Sequence, residues 1–197
     1  MQISVQADIR QATRYLNSVQ KKQIPYAASQ ALNQVAYQTA RKVMPGKADD
    51  TFDGGATAFT KRGFKYRKSN KKNLTAWVYI DQDQARYMRY QIEGGVRLPQ
   101  QKYIAVPTGK AKLNKYGNVT RNTRQRYFQN SGKFTTNERG VYERVGRSGL
   151  VRKVINFVGR AVYRPKFKFY ALTRAEVGRT YPQAFNRSFA RAMASAR

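Results

Sequence analysis

The side chains able to do chemistry in this sequence are overwhelmingly cationic, and they gather in two segments. The first holds Lys61, Arg62, Lys65, Arg67, Lys68, Lys71 and Lys72, with Phe64 and Tyr66 between them. The second holds Lys110, Lys112, Lys115, Arg121, Arg124, Arg126 and Lys133, punctuated by Tyr116, Tyr127, Phe128 and Phe134. Lysine and arginine neutralise phosphates and release their counterions, and interleaved rings stack on bases or sugars. A surface shaped only for solubility mixes charge signs. From Thr108 onward the second segment meets no acid before Glu138. The chemistry to expect is contact with a polyanion. No recognition helix, zinc finger or RNP motif is present, so contact with DNA should be to the backbone and insensitive to sequence.

The whole chain has the same bias. Its 197 residues carry 39 Lys and Arg against 10 Asp and Glu, a formal net charge of +29. It has no His and no Cys. That removes disulfides, thiolate metal sites, Cys nucleophiles, His general bases and the Ser-His-Asp triad. Asp49, Asp50 and Asp53 cluster before Gly54-Gly55, but their spacing is not that of an EF-hand and the terminal Glu is absent. They read as loop or cap residues. Pro107-Thr108-Gly109-Lys110 lacks the upstream Gly and the hydroxyl residue of a phosphate loop and reads as a turn. The acids Asp81, Asp83, Glu93, Glu138, Glu143 and Glu176 fall on different expected elements, a poor arrangement for a nuclease. The expectation is a protein that is not an enzyme and uses no cofactor or metal.

Leu, Ile, Val and Phe make up 39 of the 197 residues, near the border below which a highly charged chain stays disordered. Fourteen Tyr, one Trp and many Ala add buriable surface, so a folded chain with a modest core is expected. Met1–Asp8 has neither a basic start nor an apolar run, and no stretch approaches a membrane span. Synthesis in a cytoplasm and no membrane partner are expected.

The elements that must position these cations follow from periodicity. Gln2–Gln6 alternates like a strand, and Asp8 is placed to cap a helix to about Gln20, with Ile9, Ala12, Leu16 and Val19 on one face. A helix from Pro25 to Met44 buries Ala28, Ala31, Leu32, Val35, Thr39 and Val43, and Pro45-Gly46 supplies its stop. The Ala-rich face reads as core. Gly46–Asn73 reads as a loop and Leu74–Ile80 as a strand. A helix follows from Asp81 or Asp83 to Glu93, with Ala85, Met88 and Ile92 inward and Gly94-Gly95 at its end. Tyr103–Val106 is a strand. Thr108–Gly140 reads as a long basic loop with a hairpin turn at Lys115-Tyr116-Gly117-Asn118 that projects from the body. Strands are expected at Gly140–Val145, at Val151–Val158 with a bulge or turn at Gly159, and at Tyr163–Tyr170. The last helix runs from Thr180 to Ala194 with Phe185, Phe189, Ala192 and Met193 on one face. The whole reads as one α+β domain, 1–197, with a central antiparallel or mixed sheet packed by N-terminal and C-terminal helices and long basic loops.

Five stretches, taken in order, resemble the minor tail protein Z group of tailed bacteriophages, proteins of tail completion and head–tail joining. They are Ile24–Val43 (IPYAASQALNQVAYQTARKV), Leu113–Asn118 (LNKYGN), Gly140–Arg144 (GVYER), Tyr163–Phe169 (YRPKFKF) and Phe185–Ala194 (FNRSFARAMA). The resemblance implies a structural virion protein of the tail or neck, assembled in the bacterial host cytoplasm. It implies a homo-oligomeric ring around the DNA channel. The implied neighbours are the tail tube or tail terminator protein on one side and the head connector, adaptor or portal proteins on the other. The phage genomic DNA would be held through its backbone. Lys110, Lys112, Lys115, Arg121, Arg124, Arg126 and Lys133 would then face DNA; Lys61–Lys72 matches no pattern of the family, and Lys61, Arg62, Lys65 and Arg67 are expected to face DNA from their charge alone. The charge also fits a free, sequence-nonspecific nucleic-acid-binding protein.

Overall fold

The computed structural model describes Arg14, Asn17 and residues 19–129, 132–146 and 149–195. Arg14 and Asn17 are helical; the strand expected at Gln2–Gln6 and most of the first expected helix lie outside the described residues. In chain order the elements are α1 (Ile24–Gln38), α2 (Met44–Thr51), α3 (Ala58–Arg62), β1 (Phe64–Arg67), β2 (Trp77–Ile80), α4 (Gln82–Ile92), β3 (Gly95–Arg97) and β4 (Ile104–Pro107). Then come α5 (Arg121–Phe128), β5 (Phe134–Asn137), β6 (Gly140–Val145), β7 (Leu150–Val158), β8 (Ala161–Tyr163) and α6 (Phe169–Ala194). The fold is α+β, as expected, and every described strand pairing is antiparallel. The chain divides into two compact units.

The helical unit comprises Met1–Gly46, Arg62–Asp81 and Phe169–Arg197. Its centre is α1 against α6. Ala31 and Val35 of α1 and Ala184 of α6 are buried together, with Val177, Tyr181 and Phe185 packed around them. Alanines at the contact let two backbones approach closely and leave large side chains of α6 to fill the edges. The expected face of α1 is right in kind: Ala28, Ala31, Val35 and Thr39 are buried and Leu32 and Val43 half-buried. In the same unit β1 and β2 form a two-stranded ladder, Phe64 opposite Ile80 and Arg67 opposite Trp77. Phe64 is buried and stacks on Phe169 at 6.4 Å between centroids.

Three expectations in this part of the chain are corrected. Pro45-Gly46 does not stop the helix, which stays helical from Ile24 to Thr51. A wide π turn, Thr39–Val43, precedes Pro45, and Met44 N–H closes it on Thr39 O. That turn opens the ladder where proline's missing donor and its ring would otherwise collide with the preceding turn. Gly46–Asn73 is not one loop, since it contains the end of α2, then α3 and β1. The last helix starts at Phe169, not Thr180. Thr180 does not cap; its hydroxyl donates to Glu176 O at 2.7 Å, inside the helix.

The sheet unit comprises Lys47–Lys61 and Gln82–Lys168. Its main sheet has the order β4-β7-β6-β5, and β3 pairs with β8 separately. Tyr127, Phe134, Val141, Val154 and Ile155 form the core, with Ala111, Val119 and Phe157 packed on it. Between Val141 and Tyr142 the β6–β7 register slips by one residue. Gly140, beside that bulge, has φ of +150°, and a Cβ there would lie 2.1 Å from Ile155 O, so only glycine fits.

Thr108–Gly140, expected as a loop, contains α5 and β5. Its apolar residues are sparse because α5 buries a single ring, Tyr127, and needs no continuous stripe. The turn at Lys115–Asn118 exists, but no paired strands flank it. Asn114 builds it: its Oδ1 accepts Tyr116 and Asn118 N–H at 3.0 Å each, and its carbonyl accepts Gly117 N–H at 3.0 Å. The strand expected over Tyr163–Tyr170 ends at Tyr163. Pro165 cannot extend a ladder, and Lys166 and Phe167 N–H both donate to Gln91 O at 2.8 Å. The alternation itself is real: Phe167 and Phe169 are buried, Lys166 and Lys168 exposed.

Candidate nucleic-acid interface

The first basic segment is held by its surroundings. Lys61 is bonded to the Asp49 carboxylate, which also accepts Ala56 N–H at 2.9 Å. The Lys61 bond, helped by Ala56, holds the Asp49 carboxyl below its ordinary range. Lys65 lies 3.8 Å from Asp81. Beyond them the chain is pinned to α1 through Ser69. Its N–H donates to Asn33 Oδ1 at 2.7 Å, its carbonyl accepts Asn33 Nδ2 at 3.1 Å, and its hydroxyl reaches Ser29 Oγ at 3.2 Å. Asn70 closes a turn by accepting Lys72 and Asn73 N–H, and Lys71 sits 4.8 Å over the Tyr26 ring. Arg62 and Arg67 are exposed without an ion pair among the described residues.

The second segment is less neutralised. Among the described residues, Lys133 alone of its cations has an acid, Glu143, at 3.4 Å. Glu143 is also bonded by Arg152 at 2.7 Å. Burial pushes its carboxyl up, but the bonds from Arg152 and Lys133 outweigh burial and hold it below the ordinary range. Lys115 lies 4.9 Å over Tyr116, its own neighbour. Lys110, Lys112, Arg121, Arg124 and Arg126 are exposed and make no ion pair among the described residues. Lys112 is fixed through its backbone, whose N–H donates to the buried Tyr127 hydroxyl at 2.8 Å.

Two of these cations, Arg121 and Arg124, line an open cleft of about 1100 Å³ in the sheet unit. The start of α5 forms one side of it: Thr120 accepts Thr123 N–H as the cap, and Arg121 and Arg124 follow in the first turns with no acid among them. Arg97, Lys102, Tyr103, Ile104 and Ala105, from β3 through β4, also line it. Phe128 adds a second accessible ring. Among the described residues no carboxylate lines the cleft. Comparison with family models, with curated proteins and with solved structures finds no match. The cleft must therefore be read from its own residues.

The structure thus divides the eleven expected DNA-facing residues. Arg62, Lys65 and Arg67 belong to the helical unit and the other eight to the sheet unit. Only Arg121 and Arg124 reach the cleft, and Lys61, Lys65 and Lys133 already have acids. Arg97 and Lys102, which also line the cleft, are not among the eleven. A signal existed, because residues 94–137 contain no Asp or Glu at all, so the acid-free run starts before Thr108. Among the described residues, Asp49, Asp50, Asp53, Asp81, Glu143 and Glu176 are paired with Lys or Arg. Among the described residues no three of His, Cys, Asp or Glu come close enough to share a metal ion. No helix among them is long and apolar enough to cross a membrane.

Proposed function

We propose that this chain is a structural, non-catalytic protein of the phage tail neck, acting in tail completion and head–tail joining as a ring of identical copies around the DNA channel, where its unpaired cations touch the DNA backbone without reading sequence. One observation carries the DNA contact: among the described residues the cleft is lined by four cations and no carboxylate, while Asp49, Asp50, Asp53, Asp81, Glu143 and Glu176 elsewhere are paired with neighbouring Lys and Arg. Unneutralised cations around an open cleft create a positive potential that phosphates relieve. The placement at the neck rests on the five sequence stretches that resemble minor tail protein Z. Three of them now have a structural reason. Ile24–Val43 supplies the alanine face that α6 covers, Leu113–Asn118 is the self-capped turn leading to α5, and Gly140–Arg144 opens on the glycine that the β6–β7 bulge requires.

In a ring, each subunit needs only a few phosphate contacts, because symmetry multiplies them. Sequence-independent contact then holds a DNA end while still letting it slide. Electron cryo-microscopy of the phage particle tests the placement. Density for this chain at the head–tail junction is expected; density in the capsid shell or baseplate would refute it. Changing Lys110, Lys112, Lys115, Arg121, Arg124 and Arg126 to Gln should leave particles assembled but impair DNA retention or delivery, and full infectivity of such particles would exclude the basic segment as the contact.

A further inference from the structure

Contact with duplex backbone requires only cations, yet the cleft is also built with rings. Tyr103 is 37% and Phe128 38% exposed, so part of each ring is open to the cleft that both line. Both stack on Phe157, which lies nearly parallel to Tyr103 at 3.6 Å and 18°, and to Phe128 at 6.2 Å and 16°. Stacking on a ring of the sheet core fixes their orientation, so neither has to be ordered on binding. In a duplex the π-faces of the bases are already covered by neighbouring base pairs. An unpaired strand offers those faces to protein rings.

We infer that the cleft takes a single-stranded nucleic-acid segment, in preference to duplex, with bases against Tyr103 and Phe128 and phosphates against Arg97, Lys102, Arg121 and Arg124. The inference rests on the DNA-contact reading above and narrows it to a strand with unpaired bases, such as a single-stranded end. Each ring has two cleft-lining cations shortly before it in the chain, Arg97 and Lys102 before Tyr103 and Arg121 and Arg124 before Phe128. The volume, about 1100 Å³, exceeds that of a typical small-molecule pocket and suits a short run of nucleotides. An acidic peptide would satisfy the cations but leave both rings without a partner.

The test is fluorescence anisotropy of the full-length chain with labelled oligo-dT, a duplex of equal length and a poly-glutamate peptide, each at two salt concentrations. Oligo-dT should bind at least tenfold more tightly than the duplex. Tyr103→Leu and Phe128→Leu keep apolar bulk while removing the ring, and each should weaken oligo-dT roughly tenfold and the duplex less than twofold. Arg121→Gln should weaken both. Equal losses on duplex and oligo-dT, or no loss in either ring variant, would overturn the single-strand inference and leave backbone contact standing. Poly-glutamate binding as tightly as oligo-dT, unaffected by the ring variants, would overturn it in favour of an acidic protein partner. No binding to any oligonucleotide at low salt would also overturn it, whereas the neck placement is judged separately by microscopy. Should a ring variant fail to fold, photocrosslinking of the unaltered chain to a bromouracil-substituted strand decides. Adducts at Tyr103 or Phe128 support the inference, and adducts only elsewhere overturn it.

Discussion

Residues 61–72 and 110–133 each hold seven cations and interleaved aromatics, and as sequence they look alike. As structure they differ. In the first, Asp49 and Asp81 take Lys61 and Lys65, Tyr26 takes Lys71, and Asn33 and Ser29 fasten the backbone at Ser69. In the second, among the described residues, one cation of seven has an acid, and two of the rest line a cleft that no carboxylate lines. Cation density alone does not mark a binding surface. What matters is whether an acid lies within reach, and that depends on partners far away in the chain.

The largest expected effect tests the fastened segment. Asn33→Ala leaves the buried Ser69 N–H and carbonyl without their partners and should cost about 1–3 kcal/mol of stability, read by thermal or denaturant unfolding. A loss below about 0.5 kcal/mol would mean that the segment is not held in this way. The next tests availability. Arg121→Gln with Arg124→Gln should weaken binding to a duplex roughly tenfold at low salt, while Lys61→Gln with Lys65→Gln should change it less than twofold. Comparable losses from the two pairs would erase the contrast between the segments.

The third effect concerns the one acid that the second segment does use. Glu143 titrates below its ordinary value in the folded chain, so on acidification the unfolded chain takes up the proton first. Its stabilisation is therefore present above the ordinary carboxylate range and lost as pH falls through the lowered folded value. Melting temperature should fall more steeply from about pH 6 to about pH 3 in the unaltered protein than in Glu143→Gln. Parallel pH profiles would show that Lys133 and Arg152 do not hold the carboxylate. Asp49→Asn should give the smallest shift, since that carboxylate is exposed and screened. Its effect on melting temperature should have the same sign as Glu143→Gln and be smaller.

Much of the fold was legible in the residues, for physical reasons. The alanine spacing of α1, the alternation into β2 and the glycine pair after α4 are local signals, and each produced the element expected. Where one strong signal stood in for a balance of interactions, the reading failed. Pro45 looked like a stop because the wide turn ahead of it leaves no mark in composition. Thr180 looked like a cap because a hydroxyl bonding back into its own helix has the same sequence as one that caps. The cations at 110–133 were legible as charge. Their sorting was not, because it depends on Glu143 in the next hairpin and on Arg97 and Lys102 upstream. The stacking of Tyr103 and Phe128 was hidden for a related reason: the ring they share, Phe157, lies on a different strand.

The claim at the centre of the account is that unpaired cations around the cleft meet phosphates. The salt dependence of binding tests it most directly. Affinity for oligo-dT measured across a salt series, for the unaltered chain and for the variant with Arg97, Lys102, Arg121 and Arg124 all changed to Gln, gives the number of phosphates each neutralises. The plot of log affinity against log salt should lose about 3 units of slope in the variant, from roughly 0.7 per lost contact. An unchanged slope would contradict the account, because it would mean that the cleft cations touch no phosphate.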